Sequence, residues 1–352
     1  MQTTEETSKV AAQAAWNKRP LIISGPCSAE TEEQVVATAQ RLAATGKVDM
    51  LRAGIWKPRT KPGMFEGVRA KGLPWLQQAK KITGLPTTVE VATGKQVQDA
   101  LTFDVDVLWI GARTTVNPFS VQEVADALRG VDVPVLIKNP INPDLELWGG
   151  AVERVARAGV KQIGLIHRGF SSYGNSEYRN APMWHLAIDM KLKYPDMPFI
   201  NDPSHICGRR DILLDTMQKA IDLDYDGFII ESHIDPDNAW SDAKQQVTPE
   251  RLAEMLDSIV WRREDVNSEE YHAALEKLRN QINQLDDELM QILSRRMIIA
   301  EQIGQYKKDN NITILQTNRW NEIIERATAR GEKIGLSKEF ITRYFDAVHM
   351  ES

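Results

Sequence analysis

Residues 21–44 are LIISGPCSAETEEQVVATAQRLAA, and the pattern in this stretch underlies the prediction of the fold. Its first part, Leu21–Ser24, is a short apolar run of the kind that forms a buried strand. A polar GPCS turn follows at residues 25–28, and Thr31–Ala44 then has apolar residues at helical spacing. The stretch therefore predicts a strand, a loop and a helix in succession, which is the repeating unit of a parallel α/β fold.

The same unit recurs through the first 262 residues. The predicted strands are Leu21–Ser24, Asp49–Ala53, Thr87–Val91, Val107–Gly111, Val133–Lys138, Gln162–His167, Pro198–Asn201 and Gly227–Glu231. Helical periodicity follows them, for example at Leu73–Thr83, Gln122–Leu128, Glu153–Arg157, Asp211–Asp222 and Pro249–Arg262. Strands alternating with helices pair in parallel, and eight units in about 250 residues match a closed (β/α)8 TIM barrel. An open doubly wound sheet is the alternative, and the number of strands favours the barrel.

The pattern changes after residue 262. From Leu275 to Ile303 apolar residues alternate at spacings of three and four, interrupted where Arg296 occupies a position of this seam. The alternation predicts one helix of about forty residues whose seam faces a partner helix. Two shorter helices follow. The predicted organisation is an N-terminal segment (1–19), a TIM-barrel domain (20–262), a linker (263–268) and a small all-α domain (269–352).

The composition argues against several classes of protein. The 43 basic and 49 acidic residues give a net charge of −6, which disfavours nucleic acid or an anionic membrane as the main partner. No stretch approaches the ~18 consecutive apolar residues of a membrane span, and the N-terminus lacks the pattern of a secretion signal. We therefore expect a cytoplasmic protein. The two cysteines, Cys27 and Cys207, are too few for a disulfide framework.

Charged residues follow the predicted strands at the end where TIM-barrel enzymes carry out their chemistry. Six of them are cations: Arg52, Lys57, Arg59, Arg113, Lys138 and Arg168. Six positive charges at one rim repel one another unless a multiply charged anion is bound, and arginine suits bidentate binding of phosphate and carboxylate. Any one of these residues, taken alone, could equally be a solvated rim residue. Only the whole set indicates a site for an anionic substrate.

A second set of side chains at the same rim contains Cys27, His205, Glu231 and Asp242. A thiolate, an imidazole and two carboxylates can hold a divalent transition-metal ion and leave one position open for a substrate oxygen. Each residue has a structural alternative, since Cys27 could be a small buried hydrophobe, His205 a core imidazole and Asp242 a helix cap. Their spacing does not decide between these, but their shared position at the rim favours metal binding.

These residues lie in motifs that resemble a known family. GPCS, RAGIWKPRT, IGAR, LIKN, HRGF, DPSH and ESH followed by SDAKQ occur in this order between residues 20 and 262. They resemble the metal-dependent 3-deoxy-D-arabino-heptulosonate-7-phosphate (DAHP) synthases, in the short bacterial subgroup of the type I enzymes. The resemblance implies the condensation of phosphoenolpyruvate with erythrose 4-phosphate, the first step towards the aromatic amino acids.

The resemblance also implies roles for individual residues. The ligands of one divalent metal ion, with manganese the expected ion, would be Cys27, His205, Glu231 and Asp242. Phosphoenolpyruvate would be held by Arg52, Lys57, Arg113, Lys138 and Arg168. The sugar phosphate would be held by Arg59 and Thr60 of the KPRT motif. Glu90, at the end of the third strand, is a candidate for orienting the attacking water, and Lys57 for transferring a proton.

The nearest alternative is the sister enzyme that makes 3-deoxy-D-manno-octulosonate 8-phosphate from arabinose 5-phosphate on a similar barrel. KPRT favours the four-carbon sugar, since the sister family carries a motif with asparagine at this place.

Residues 269–352 resemble the all-helical chorismate mutases, in which two chains intertwine. The resemblance implies the rearrangement of chorismate to prephenate in a homodimer formed through this domain, without acid, base or metal. The substrate would be held by Arg296, Lys307, Arg319 and Arg279 of the partner subunit. Arg279 and Arg296 point roughly 100° apart on one helix, so one helix cannot aim both at one point.

The helical domain departs from this family at Gln316, where some members have an acidic residue, and we expect a weaker or more open pocket as a result. An alternative from another class is a domain without catalysis that binds chorismate or prephenate and regulates the barrel. The fusion itself leads us to expect prephenate as a feedback inhibitor.

Overall fold

The computed structural model of the protein describes residues 4–58, 62–173, 176–262, 268–313 and 317–352. It divides into two compact units, Met1–Glu264 and Asp265–Ser352. Several positions of interest lie outside the described residues, namely Arg59, Thr60, Gln316 and the linker residues 263–267.

The first unit is a closed barrel of parallel strands. Among the described residues they are β1 (Leu21–Gly25), β2 (Met50–Arg52), β3 (Thr87–Val91), β4 (Val107–Ile110), β5 (Val135–Lys138), β6 (Ile163–His167), β7 (Phe199–Asn201) and β8 (Gly227–Glu231). Each strand pairs with the next, and β1 pairs with β8 from Leu21 opposite Gly227 to Gly25 opposite Glu231. This last pairing confirms the predicted TIM barrel and excludes the open sheet, in which the first and last strands would not meet.

Helices surround the barrel in the first unit. They are α1 (Thr4–Asn17), α2 (Glu32–Ala44), α3 (Leu73–Thr83), α4 (Gly94–Thr102), α5 (Ala112–Thr115), α6 (Pro118–Ala127), α7 (Leu145–Arg157), α8 (Trp184–Lys193), α9 (Pro203–Cys207), α10 (Leu213–Asp222) and α11 (Pro249–Ser258). Two of them begin earlier than the periodicity indicated. Asn117 caps α6, and Asp144 caps α7 by accepting a bond from the backbone N–H of Leu147 at 3.0 Å, so each helix begins directly after its cap.

The interior of the barrel is filled by side chains from alternate strand positions. This inner cluster consists of Leu21, Ile23, Met50, Val107, Trp109, Leu136, Ile166, Ile200 and Ile229, together with Ala15 and Trp16 of α1. Trp16 is 4% exposed and packs beside Gly164 of β6, so α1 closes the barrel from the side of the chain's entry into β1. The segment predicted as residues 1–19 is therefore largely a helix that covers the core, and the carboxyl ends of the strands remain for the site.

The second unit is all-helical, as predicted. It contains α12 (Glu269–Asp309), α13 (Thr317–Glu332) and α14 (Lys338–Glu351). Helices α13 and α14 pack together through buried Ile341 and Val348, and the rings of Trp320 and His349 are 4.4 Å apart. Helix α12 is described throughout its 41 residues, and none of them is buried. The single long helix predicted from the apolar seam is therefore confirmed.

In the described parts of the chain, every helix is too short or too polar to span a lipid bilayer. The cytoplasmic location stays a prediction.

Candidate active site

Two of the predicted cations meet on one aromatic ring inside the mouth of the barrel. The guanidinium carbon of Arg52, at the end of β2, lies 5.1 Å from the centre of the Trp109 ring in β4. The Nζ of Lys138, at the end of β5, lies 5.6 Å from the same ring. Arg52 is 2% exposed and Lys138 is 4% exposed, so the indole face stabilises two desolvated cations.

The Arg52 guanidinium is only partly satisfied by the protein. Its Nη2 lies 3.4 Å from Glu231 Oε1 and 3.4 Å from the carbonyl oxygen of Cys27. Within the described residues its Nε and Nη1 have no hydrogen-bond partner. Burying such donors is costly unless an acceptor reaches them. Arg52 therefore keeps two buried donors whose chemistry suits an anion.

Asp202 connects Lys138 to His205. Its Oδ2 accepts a bond from Lys138 Nζ at 2.7 Å, and its Oδ1 lies 2.9 Å from His205 Nδ1. Burial would raise the pKa of Asp202, but its contacts with the His205 imidazole and the Lys138 ammonium hold that pKa well below its usual range. Asp202 also caps α9 through the backbone N–H of His205. The carboxylate thus fixes the backbone and the imidazole of His205 together.

Cys27 lies between Lys57 and Asp242. The Nζ of Lys57 is 2.9 Å from both the sulfur and the carbonyl oxygen of Cys27. The thiol donates to Asp242 Oδ2 at 3.2 Å. Burial raises the pKa of the Cys27 thiol to about 12, with a further rise from the charge of Glu231 and a smaller opposing effect of Lys57. A divalent cation beside the sulfur would favour the thiolate.

The four predicted metal ligands form two pairs. Cys27 faces Asp242, and His205 Nε2 lies 3.7 Å from Glu231 Oε1. In the described part of the chain, no group of three or more His, Cys, Asp or Glu residues is close enough to form a ready-made metal cluster. The donor set nevertheless fits a divalent transition metal by its chemistry. Glu231 Oε1 is buried without a hydrogen-bond partner among the described residues, as expected of an oxygen reserved for a cation.

The remaining predicted barrel residues lie around this centre. Arg168 is 8% exposed and donates to Asn180 Oδ1 at 2.9 Å. Burial lowers its pKa to about 10, so it remains charged at neutral pH. Glu90 accepts a bond from Trp109 Nε1 at 3.0 Å, while Arg113 is exposed on α5.

A cavity of about 300 Å³ is lined by Lys57, which contacts Cys27, and by Glu90. Its other lining residues are Trp56, Pro58, Glu66, Arg69, Ala92 and Gln96. The two residues predicted to move protons or water therefore face one space that can hold a small substrate.

The helical unit carries its predicted cations mainly on α12. Arg296 is half-buried and donates to Ser352 Oγ at 2.6 Å. Lys307 is also half-buried, and Arg279 is exposed. Arg319 lies in the first turn of α13, and its side chain is outside the described part.

A TIM barrel whose strand ends hold buried cations, metal-type donors and a small cavity is the architecture of an enzyme that acts on anionic small molecules. Residues 4–268 match the DAHP synthetase I family, and residues 278–352 match chorismate mutase type II. The chain belongs to the DAHP synthetase I family and carries a chorismate mutase domain after the barrel.

Individual relatives of the chain carry the names of two different aldolases. Phospho-2-dehydro-3-deoxyheptonate aldolase of Thermotoga maritima is 32% identical over 238 residues, which cover 68% of each chain. A crystal structure of this DAHP synthase matches with a TM-score of 0.61 at 31% identity, over 67% of each chain. The 2-dehydro-3-deoxyphosphooctonate aldolase of Alkalilimnicola ehrlichii is 27% identical, over 69% of this chain and 90% of that protein.

Proposed function

We propose that the barrel condenses phosphoenolpyruvate with erythrose 4-phosphate to give DAHP and inorganic phosphate. The observation that carries this proposal is the buried Arg52 guanidinium, whose Nε and Nη1 lack partners among the described residues. Phosphoenolpyruvate offers a phosphate and a carboxylate, both of which suit such donors. Membership of the DAHP synthetase I family supports the same substrate.

The cations that would bind phosphoenolpyruvate are held in place by neighbouring side chains. Arg52 and Lys138 are fixed on the Trp109 ring, and Arg168 is fixed by Asn180. Together with Arg113 they would hold the two acidic groups of phosphoenolpyruvate. Because three of these cations are buried, they act in a low-dielectric site where each contact is stronger than in water.

A divalent ion held by Cys27, His205, Glu231 and Asp242 would supply Lewis-acid polarisation of the sugar aldehyde. The hydrogen bond from His205 Nδ1 to Asp202 leaves Nε2 as the nitrogen available to a cation.

The reaction forms a bond between C3 of phosphoenolpyruvate and the aldehyde carbon. Water then adds at C2, and the C–O bond to phosphate breaks. Lys57 would give a proton to the new hydroxyl, since its Nζ lies at the metal-type donors and the residue lines the cavity. Glu90 would orient the water, because its carboxylate is held by Trp109 at the edge of the same cavity.

The choice between a four-carbon and a five-carbon sugar rests on the KPRT motif, since curated relatives of both kinds match the chain. Lys57 and Pro58 of this motif line the cavity, while Arg59 and Thr60 lie outside the described residues.

The direct experiment measures phosphate release from phosphoenolpyruvate by the full chain after chelation and after adding back manganese. We expect release only with metal and with erythrose 4-phosphate. Faster release with arabinose 5-phosphate would favour the sister activity, and full release in excess chelator would contradict the proposed metal dependence.

Arg52→Lys should lower kcat/KM for phosphoenolpyruvate by about 100-fold, because one ammonium cannot replace a bidentate guanidinium. Arg41→Lys, in an exposed ion pair with Glu250, is the matched control.

We propose that the helical unit converts chorismate to prephenate. Its match to chorismate mutase type II supports this function. Arg296 and Lys307 are half-buried cations on one helix, eleven residues apart and so on nearly the same face. Such a pair can bind the carboxylates of chorismate and stabilise charge on the breaking C–O bond.

We also propose that the mutase site forms in a homodimer that pairs two copies of α12. The seam residues Leu278, Ile282, Leu285, Leu289, Ile292, Ile299 and Ile303 are each more than 40% exposed. An apolar stripe along a 41-residue helix is costly in water and suits a second copy of the same helix. The second copy would bring Arg279 of the partner subunit to the site.

The second candidate is a regulatory domain without catalysis. Gln316 favours it, because some chorismate mutases have an acidic residue at this position and the pocket is expected to be weaker without one. Measuring the loss of chorismate with the purified full chain separates the two. No loss would exclude the mutase. Inhibition of phosphate release by prephenate would support regulation, and an unchanged rate at saturating prephenate would contradict it.

A further inference from the structure

The loop after β8 carries two consecutive glutamines, three and four residues after Asp242. Gln245 is 1% exposed and Gln246 is 0% exposed. Gln246 accepts a bond from the backbone N–H of Cys27 at 2.9 Å and donates to the carbonyl oxygen of Ser241 at 2.8 Å. Because a buried amide is costly unless it is hydrogen-bonded, these contacts fix the loop against the turn that follows β1.

Gln245 makes its two bonds to side chains instead. Its Nε2 donates to Glu231 Oε2 at 2.7 Å, and its Oε1 accepts from Arg179 Nη1 at 2.7 Å. The same Arg179 nitrogen donates to Asp242 Oδ1 at 2.9 Å. A continuous chain of hydrogen bonds therefore runs from Glu231 through Gln245 and Arg179 to Asp242.

This chain takes one oxygen of each carboxylate and leaves the other directed at a different donor. Glu231 Oε1 lies 3.7 Å from His205 Nε2, and Asp242 Oδ2 lies 3.2 Å from the Cys27 sulfur. The oxygens held by Gln245 and Arg179 are in both cases the opposite ones. The two donor pairs of the candidate metal site are thus linked on their outer side.

We propose that Gln245 and Arg179 are positioning residues that orient the carboxylates of Glu231 and Asp242 towards a common divalent ion. This inference rests on the metal site of the proposed function. The four donors come from four separate segments of the chain, so only contacts between segments can align them. Hydrogen bonds behind the ligands orient them and raise metal affinity.

The chemistry of each residue matches this task. The amide of Gln245 presents a donor to a carboxylate and an acceptor to a guanidinium, so its orientation is determined by its partners. The stem of Arg179 packs against Gly208, where an added Cβ would lie 2.5 Å from Arg179 Cβ. Gly208 has a φ of +66°, which favours glycine, and this close approach fixes the path of the arginine.

The test compares Gln245→Met with Gln246→Met in the full chain. Both substitutions remove two hydrogen bonds from fully buried neighbouring positions, but the side chain of Gln246 bonds only to the backbone of Cys27 and Ser241. Mn²⁺ is titrated into metal-free protein, and free Mn²⁺ is measured by its electron paramagnetic resonance signal. Urea unfolding of the metal-free proteins gives their stability separately. We expect Gln245→Met to weaken Mn²⁺ binding about 10- to 100-fold and Gln246→Met to change it less than about threefold.

These measurements distinguish a failure of the proposed metal site from a failure of the positioning role of Gln245 and Arg179. A wild-type chain that binds no Mn²⁺ overturns the proposed metal site itself. A wild-type chain that binds, with Gln245→Met binding equally well or Gln246→Met losing as much affinity, overturns the positioning role. If Gln245→Met does not fold, Arg179→Met at its half-exposed position takes its place. The same loss of Mn²⁺ affinity is then expected, and wild-type affinity would contradict the proposal.

Discussion

Trp109 Nε1 donates a hydrogen bond to Glu90 Oε2 at 3.0 Å, and the face of the same indole supports Arg52 and Lys138. One buried ring therefore sets the positions of a carboxylate and two cations from three different strands. Its edge is electropositive and its face electronegative, which matches the partners that it has. The mouth of the barrel behaves as one electrostatic unit built on this side chain.

Trp109→Leu should weaken the binding of phosphoenolpyruvate because it removes the surface beneath both cations. Losing two cation–π contacts of roughly 1 kcal/mol each predicts a rise in KM of about 10- to 30-fold, and Trp109→Phe should give a smaller rise. Steady-state kinetics with phosphoenolpyruvate varied would measure this. Trp261→Phe, at a partly exposed position, is the control. An unchanged KM in Trp109→Leu would show that the ring does not position the cations.

Acid should destabilise the barrel through His167, which is fully buried. Its Nε2 donates to the carbonyl of Pro182 and its Nδ1 accepts from the hydroxyl of Tyr225, so the neutral ring is satisfied. Burial lowers its pKa to about 3. The unfolded chain, with a pKa near 6.5, binds more protons between these values. The contribution of His167 to the free energy of unfolding is therefore fully present above about pH 6.5. It is lost as the pH decreases, by about 2 kcal/mol at pH 5.

Urea unfolding at pH 7.5 and pH 5.0, followed by tryptophan fluorescence, measures this effect. The signal reports the barrel, since all tryptophans except Trp320 lie in the first unit. His167→Gln should lose most of the pH dependence, whereas His185→Gln, at an exposed position of α8, should keep it. The same pH dependence in His167→Gln and the wild type would refute the assignment.

Arg296→Ala should lower kcat/KM for chorismate by about 100- to 1,000-fold, because a cation at the breaking bond acts mainly in the transition state. Arg295→Ala is the matched control. Arg295 is exposed, with its Nε 3.4 Å from the carbonyl of Gln291 in its own helix. Chorismate absorbance measures the rate. Equal losses in the two variants would indicate general damage to α12 and not a role for Arg296 in the reaction.

Leu285→Glu should dissociate the proposed dimer, because it places a charge in the apolar seam of α12. Losing the burial of one leucine in each copy costs roughly 3–6 kcal/mol, which weakens dimerisation by about 100-fold or more. Sedimentation over a range of concentrations measures it. Gln284→Glu introduces the same residue beside the seam and should leave the dimer intact. Chorismate turnover should fall with dissociation, and a dimeric Leu285→Glu would disprove this interface.

Much of the barrel could be predicted from the sequence because buried parallel strands are short apolar runs. Strands β3 and β8 were predicted residue for residue. The early starts of α6 and α7 were missed because their caps precede the periodic residues. Helix α1 had no counterpart in the prediction, since its polar sequence does not show that Trp16 packs into the barrel core.

For the site, the sequence offered only the rule that the carboxyl ends of parallel strands meet at one end of the barrel. That rule placed Arg52 and Lys138 at one mouth, and the structure brings them onto one ring. Trp109 was missed, although it has the same inward parity as Val107 and lies just before the IGAR motif. The partners Arg179 and Gln245 were missed because contacts between distant segments leave no trace in sequence spacing.

The most direct test of the proposed condensation uses phosphoenolpyruvate labelled with ¹³C at C2 and follows the label by nuclear magnetic resonance. The full chain is supplied with erythrose 4-phosphate and manganese. We predict that the label appears at the hemiketal carbon, C2, of a seven-carbon sugar acid, with one phosphate released for each phosphoenolpyruvate consumed. Label recovered only in pyruvate, or no conversion while arabinose 5-phosphate is accepted, would contradict it.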